Sequence, residues 1–412
     1  MQQCIDSGVV NSYTIASSQI SSSILKEGIV ENKLSYVPSL NGGMTHGYNW
    51  GQTLDPFTNQ FASQRVQYNN FYLRSSVSLF SGMSTRHNLS LLRIDLEQEE
   101  YNRILAERNL KIDISTAYLQ VLVNNEVLEI ALDHVDLSKN EQSKMKLLVE
   151  AEKETEYQLL EINSQVERDR LTVVSAQNDL NYALLNLQQL MNIPYDASFN
   201  IVTADKVLDH SITPYNKMDL DRFVEVRMDE LSIERLSINE KLLRSSLYPS
   251  LTLNGSMGTG YSGNSTIVVN GVPETKPFGL QFSDNFYQSA FLSLQIPIFN
   301  QRATKTQLKI NELQTQQSAL DKAQSKNVIK GEYERLKMEV SNSQREFEMV
   351  ESLLSLVKLN YEQAQAQFEN GKISFSDLQE IKNQLFVAES DVIQAKYQSD
   401  MNQLILKFYA EN

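Results

Sequence analysis

Cysteine is almost missing from this chain: Cys4 is the only one in 412 residues. A single thiol excludes a disulfide framework and a thiol-only metal site. Cys4 is expected as a buried structural thiol in a first helix, and Met1–Gln2–Gln3 before it form no apolar lipidation signal. Proline and glycine are scarce, 8 and 15 residues. These two residues punctuate structure, so their scarcity predicts long uninterrupted elements. No run of about 18 apolar residues occurs, which excludes a transmembrane helix. No basic stretch followed by an apolar one opens the chain, so no signal peptide is visible. Basic residues number 37 against 51 acidic, for a net charge of −14. That balance disfavours nucleic acid, whose phosphates demand clustered Lys and Arg, and suits cationic ligands or basic protein partners. His46, His87, His134 and His210 have no paired spacing, so neither a metal site nor a cofactor is expected. No nucleophile–base pair stands out, which argues against an enzyme. Gly258–Thr259–Gly260–Tyr261–Ser262–Gly263 fits a dinucleotide fingerprint, but Ile267–Val268–Val269 follows it instead of a helix. The fingerprint fails without that helix, and a flexible outer loop is expected there.

What the chain does have is a copy of itself. Tyr36–Val37–Pro38–Ser39–Leu40 recurs as Leu247–Tyr248–Pro249–Ser250–Leu251, 211 residues later. Leu79–Phe80–Ser81–Gly82 recurs as Ile298–Phe299–Asn300–Gln301, now 219 later. Leu159, Glu161 and Gln165 recur as Leu378, Glu380 and Gln384, again at 219. The change of spacing places an eight-residue insertion between the first two landmarks. A repeat this long is a duplicated half-molecule, not a solenoid unit. The halves are read as 1–205 and 206–412.

Each half begins with a helical stretch, near 11–35 and 219–247, ending at Pro38 or Pro249. Beyond each proline the period changes. Leu251, Leu253, Gly255 and Met257 alternate with Thr252, Asn254 and Ser256, and Phe71, Leu73, Val77 and Leu79 alternate with Asn70, Tyr72, Arg74, Ser76 and Ser78. Strict alternation predicts half-buried strands, here over 36–46, 67–80, 249–258 and 286–299. Polar, Gly/Asn/Ser-rich segments, 41–66 and 258–285, separate the strands of each half. Strands of this length reach across a bilayer with tilt, and one apolar and one polar face is the inside-out pattern of a membrane barrel. A soluble antiparallel sheet with one wet face has the same pattern. Tyr and Phe around the strands fit interfacial girdles and equally fit strand propensity.

The helices separate these readings. From Ile329 the apolar positions run Tyr333, Leu336, Val340, Phe347, Val350, Leu354, Val357, Tyr361, Ala364 and Phe368, with only Ser343 breaking the set. After Glu369–Asn370–Gly371–Lys372 the rhythm resumes at Leu378, Ile381, Leu385, Ala388, Val392 and Ala395. Steps of three and four sustained this way predict an antiparallel coiled-coil hairpin over 302–409. The first half predicts another over 83–192, with Ile114, Tyr118, Val121, Leu128, Leu132 and Val135 on one arm. Leu159, Ile162, Val166, Val173, Ala176, Leu180, Ala183 and Leu187 lie on the other. Each first arm is roughly 95 Å long at 1.5 Å per residue. Such arms span a distance; compact cores use helices of about 11–12 residues.

The order helix, strand, loop, strand, long helix, turn, return helix, taken twice, resembles the TolC family of outer-membrane efflux and secretion proteins. The Pro-Ser-Leu strand starts at 38–40 and 249–251, the strand exit Leu294–Gln295–Ile296–Pro297–Ile298–Phe299, and the tip Phe368 to Leu378 carry the resemblance. It implies a mixed fold, a membrane β-barrel plus long α-helical coiled coils. It implies a homotrimer whose twelve strands close one barrel, continuous with a twelve-helix periplasmic α-barrel. Closure leaves no strand edge facing lipid. The function so implied is a passive exit duct in the outer membrane of a Gram-negative bacterium, extending into the periplasm. Its implied partners are a periplasmic adaptor and an inner-membrane pump.

The family closes its tunnel with acidic rings at the hairpin tips of the second repeat. The matching positions are Asp377 and Glu380, three apart and so on one helix face. Glu161 is the first-half equivalent of Glu380, while Gln158 replaces the acid of Asp377. Gathered about an axis, such carboxylates are expected to titrate upward or to bind cations. The same residues also suit a solvated coiled-coil flank. Gly371, Lys372 and Ser374 are the candidates for adaptor contact, and equally a turn glycine with a capping serine. Two other functions remain open. A periplasmic adaptor has a coiled-coil hairpin, though one per chain. A soluble coiled-coil scaffold suits the missing signal peptide but leaves the recurring strand pairs unexplained.

Overall fold

The computed structural model of the chain describes residues 1–59, 61–62, 65–201 and 219–410. His210 and the boundary between the halves at 205/206 lie outside the described residues. The described chain forms two compact units, and each takes parts from both halves. A sheet unit holds 21–98 and 229–321, and a hairpin unit holds 1–20, 99–228 and 322–412.

In order, the first half contains α1 (Gln2–Asn11), α2 (Tyr13–Leu34), β1 (Ser39–Asn49), β2 (Thr53–Leu54), β3 (Phe61–Ala62), β4 (Val66–Ser81), α3 (Ser84–Glu150) and α4 (Glu156–Leu190). The second contains α5 (Val224–Ser245), β5 (Ser250–Ser262), β6 (Thr266–Val269), β7 (Val272–Thr275), α6 (Phe278–Asp284), β8 (Tyr287–Gln295), α7 (Ala303–Glu369) and α8 (Phe375–Ala410). The starts of α3 and α7, and those of α4 and α8, are each 219 residues apart, and α3 and α7 both run 67 residues. The repeat read from a few landmarks therefore holds for whole helices. The helix expected near 11–35 is α2, and a separate helix, α1, precedes it; Ser12 lies between them, and its hydroxyl accepts from Ile15 N–H at 3.3 Å and caps α2.

The sheet is antiparallel, in the order β1-β4-β5-β8. Its register sorts the side chains by chemistry. Met44, Phe71 and Thr259 stand in one row, Leu73 beside Met257 in another, and Val77, Leu253 and Leu292 in a third. Those rows share one face. On the other face Asn41, Arg74, Ser256 and Ser289 line up, and the Ser256 and Ser289 hydroxyls bond at 2.8 Å. Three tyrosines on this polar face, Tyr72, Tyr68 and Tyr287, lie over the cross-strand glycines Gly43, Gly47 and Gly258, filling the space a side chain would need.

Several strand limits differ from the sequence reading. β1 starts at Ser39 and runs to Asn49, because Pro38 lacks an N–H. β8 stops at Gln295 instead of 299, ahead of Pro297. The apolar row was expected to continue at Leu79. A bulge between Ser78 and Phe80 instead sets Phe80 opposite Leu251, since an inserted residue reverses the alternation beyond it. The eight-residue insertion falls in the 258–285 segment. That segment is structured: β5 continues to Ser262, β6 and β7 pair as a hairpin, and α6 packs Phe278 and Phe282 against Phe71. Buried Gln281 secures it, donating to Ser262 O at 3.0 Å and accepting from Ser262 N–H at 2.9 Å.

In the hairpin unit, Ile114, Tyr118, Val121, Leu122, Ala183 and Leu187 form the main core with Ile5 of α1 and Tyr397 and Leu404 of α8. Burial of about 25 cal/mol per Å² of apolar surface makes such seams the main source of hairpin stability. Gly8 is required where α1 meets α3, since a Cβ there would lie 2.2 Å from Ile114 Cδ1. Along α7 the buried positions follow the expected seam, Ser343 included. Leu132 departs from it: it is exposed, and Ala131, His134 and Val135 take the inner face of α3. Cys4 is half-buried, not buried, beside that core, and burial pushes its thiol pKa up.

Candidate functional site

Both hairpin tips belong to the hairpin unit and are built alike. At the second, α7 ends in a Schellman turn. Gly371 sits at φ +68, its N–H bonds Phe368 O at 2.9 Å, and Lys372 N–H bonds Gln367 O at 2.9 Å. At the first, Glu152 occupies the same left-handed position at φ +58, with Glu152 N–H on Val149 O and Lys153 N–H on Leu148 O. Glycine adopts that conformation freely and glutamate does not. The sequence offers no sign that Glu152 would.

Each return helix then starts on a reciprocal cap. Thr155 Oγ1 accepts from Gln158 N–H at 3.3 Å, while Gln158 Oε1 accepts from Thr155 N–H at 2.8 Å. In the second repeat Ser374 Oγ accepts from Asp377 N–H at 3.2 Å. Asp377 Oδ2 accepts from Ser374 N–H at 3.0 Å and from its hydroxyl at 2.7 Å. This is a capping box in both copies. Those bonds hold the Asp377 carboxyl below the usual carboxylate range. Within one chain the shift is thus opposite to the one expected for a ring of like charges. Phe368 and Phe375 meet with their rings tilted, 5.9 Å between centres, and Phe375 is buried with Met145 and Ile162 of the first hairpin.

Glu380, three residues beyond Asp377, is exposed, as are Gly371, Lys372 and Ser374. Glu161 is half-buried, and its hydrogen bond from the Tyr157 hydroxyl raises the pKa of that phenol. The structure therefore gathers Gly371, Lys372, Ser374 and Asp377 in one turn, with Glu380 one step along the same face. Glu161 lies on the other hairpin.

A second buried face of α8, outside its apolar seam, carries Gln379 and Lys382. Lys382 is 1% exposed and meets Ser138 Oγ, Glu141 Oε2 at 3.4 Å and Asp169 Oδ2 at 3.7 Å. Glu141 also accepts from the Tyr361 hydroxyl at 3.2 Å and Gln379 Nε2 at 3.2 Å. One turn-pair further on, Glu389 meets His134 at 3.1 Å and Lys358 at 3.3 Å. Next, Lys396 stands 3.7 Å from Glu126, which also accepts from the Tyr397 hydroxyl. Burial acts to raise Glu389, but the hydrogen bonds from His134 and Lys358 outweigh it and hold the carboxyl low. Lys382, Glu389 and Lys396 are seven residues apart, and their partners Glu141, His134 and Glu126 descend α3 at nearly the same interval. The heptad spacing of those three residues was the available signal.

Among the described residues no cluster of three or more His, Cys, Asp or Glu side chains could hold a metal ion, and no helix is long and apolar enough to cross a membrane.

Residues 220–410 match the family model described as outer membrane efflux protein. No curated protein matches the chain. Solved structures resemble it over nearly its whole length. CusC, described for transmembrane channel formation, is 15% identical with a TM-score of 0.81, covering 99% of this chain and 91% of its own. The outer membrane protein VceC of Vibrio cholerae is 11% identical at TM-score 0.78, covering 99% and 95%. The Campylobacter jejuni CmeC outer membrane channel is 13% identical at 0.78, covering 99% and 84%. The chain has the TolC-like fold of these channels.

Proposed function

We propose that this chain is the outer-membrane exit duct of a tripartite efflux or type I secretion system, passively conducting substrate from an inner-membrane pump across the periplasm and outer membrane. One observation carries the reading. The sheet presents an aliphatic face and a Ser/Asn/Arg face, and among the described residues its edges β1 and β8 have no further strand partner. Every residue of β8 is exposed. An aliphatic outer face needs lipid, and lipid tolerates no open edge. Three copies supply twelve strands and close the barrel, and the four hairpin arms of each chain line a periplasmic tunnel in the same way.

In this assembly the two hairpins of one chain act as unequal neighbours around the tunnel. Asp377 and Glu380 form the acidic gate, with Glu161 contributing from the other hairpin. Gly371, Lys372 and Ser374 face the adaptor. Three copies of each acid around an axis attract cations and oppose one another. No reaction step is involved. An adaptor would carry one hairpin, whereas this chain has two.

The test is single-channel recording in planar bilayers. The wild type gives a conductance that multivalent cations block from the tip side. Asp377→Asn with Glu380→Gln weakens that block. Unchanged block removes both residues from the gate. Detergent-free extraction as a soluble monomer overturns the duct itself.

A further inference from the structure

The end of the sheet from which the helices leave has a charge unlike the rest of the chain. β1 and β5 start there, and β4 and β8 finish there, as the pairings of Ser39 with Ser76 and of Ser81 with Ser250 show. Around this end, residues 29–36, 82–89, 240–247 and 298–305 contain six basic side chains, Lys33, Arg86, Lys241, Arg244, Arg302 and Lys305, against two acids, Glu31 and Glu240. The whole chain has net charge −14.

The duplication sets this pattern twice. Lys33 and Arg244 each stand six residues before a strand start, and Arg86 and Lys305 are 219 residues apart. The helix ends are close together. Ser246 and Thr304 hydroxyls meet at 2.9 Å, and a Cβ on Gly82 would come within 2.4 Å of Ser245 O. Arg244, Arg302, Lys305 and Lys309 line one open cleft of about 790 Å³ together with Glu240 and Glu312. Glu240 pairs with Arg244 at 2.6 Å and Glu312 with Lys309 at 2.9 Å. Among the described residues no carboxylate pairs with Arg86, Arg302 or Lys305. His87 senses the excess: burial, then the charges of Lys241 and Arg86, hold its imidazole pKa down.

Immediately on the sheet side of these charges lies an exposed apolar belt. Tyr36, Val37, Leu247, Tyr248 and Phe299 are all exposed, and Ile298 is 94% exposed. Aliphatic wall, aromatic belt, then basic side chains is the sequence of layers met on leaving a bilayer into its headgroups.

We infer that this basic ring binds the phosphate headgroups of anionic phospholipid in the periplasmic leaflet, with Arg86, Arg302 and Lys305 as the principal contacts. The inference rests on the membrane reading above. Each basic group near an anionic surface favours it by a factor of about five, and salt screens the effect. Arginine's planar fork suits a phosphate in two-point contact. The doubled arrangement would place such contacts around the whole circumference of the assembled barrel.

The experiment places the full-length protein in bilayers of phosphatidylethanolamine mixed with phosphatidylglycerol and measures, by mass spectrometry, which lipid stays with it on mild extraction. The wild type retains phosphatidylglycerol in excess of its share of the bilayer, and high salt during extraction removes the excess. Arg86→Gln, Arg302→Gln and Lys305→Gln combined lower the enrichment by roughly tenfold or more. Arg86→Lys with Lys305→Arg preserves it and controls for misfolding. Enrichment missing from the wild type, or unchanged in the neutral variant, overturns the lipid proposal and leaves the duct reading intact. Failure of the wild type to enter any bilayer overturns both.

Discussion

Lys382 makes the hairpin unit sensitive to a single substitution. Its side chain is 1% exposed, and it faces two carboxylates, Glu141 and Asp169, at 16% and 13%. Lys382→Met keeps the length and the packing of the stem and removes only the charge. Breaking a buried pair from one side costs about 3–5 kcal/mol, because the partner is left uncompensated. Here each carboxylate keeps another donor: Tyr361 and Gln379 for Glu141, Gln165 for Asp169. The low end, about 3 kcal/mol, is therefore expected, which at 1.4 kcal/mol per decade is roughly a 150-fold rise in local opening. Amide hydrogen exchange along α8 near Lys382, and along α3 near Ser138, reads that quantity directly. A second variant makes the reasoning refutable. Lys382→Met with Glu141→Gln and Asp169→Asn removes the stranded charges, and replacing a whole buried ionic group is close to neutral. The triple variant should exchange more slowly than the single one. If it exchanges as fast or faster, or if Lys382→Met alone changes exchange less than about fivefold, the ionic account of this contact is wrong.

Two further outcomes follow from the tip and from the ladder above it. Glu152→Gly should stabilise the first hairpin by about 0.5–1 kcal/mol, since a left-handed glutamate costs about 1–2 kcal/mol and glycine's looser unfolded state returns part of the gain. Denaturant midpoints of the two forms check it, and a lower midpoint for the glycine form would show that Glu152 makes a contact worth more than its strain. Glu389 titrates low in the folded chain, so its pairing with His134 and Lys358 contributes stability above about pH 4.5, and that contribution is lost as pH falls through the folded value. Unfolding followed from neutral pH downward should show a loss of stability below about pH 4.5 that is shallower in Glu389→Gln; equal slopes would remove Glu389 as the cause.

How much of this was written in the sequence depends on whether one face of an element decides its position. α7 has one buried seam, and its period named Tyr333, Leu336, Val340, Tyr361 and Ala364 correctly, because from Ile329 onward every buried position on it but Ser343 is apolar. α8 has two. Its second face buries Gln379 and Lys382 as well as Tyr397 and Leu404, so a search for apolar periodicity passes over it. Polar residues enter a buried face only with partners, and those partners lie more than 200 residues away on α3, where a local pattern cannot find them. The bulge at Leu79 escaped for a related reason, since alternation predicts faces only while the register is unbroken. The strand-to-helix corner was legible as a motif but not as a conformation. Gly82 and Met83 are both left-handed, as are Gln301 and Arg302 at the same repeat positions, and only the first of these four is a residue that advertises it.

The two capping boxes separate what Asp377 does for the fold from what it does at the proposed gate. A helix start needs a side chain at the third position that can accept from the cap's backbone N–H. Gln158 does this in the first repeat with a neutral amide, at 2.8 Å. The negative charge of Asp377 is therefore not needed for capping. Replacing it by Asn or Gln keeps an acceptor and removes the charge, so loss of cation block in the paired variant reads the charge and not a frayed helix. The same geometry also says which way the gate should be set. Ser374 keeps the Asp377 carboxyl ionised further into acid than an ordinary aspartate. Repulsion between copies must first undo that preference before any proton is taken up at moderate pH. A ring built from such a residue stays charged, and it is relieved more readily by a bound cation than by a proton.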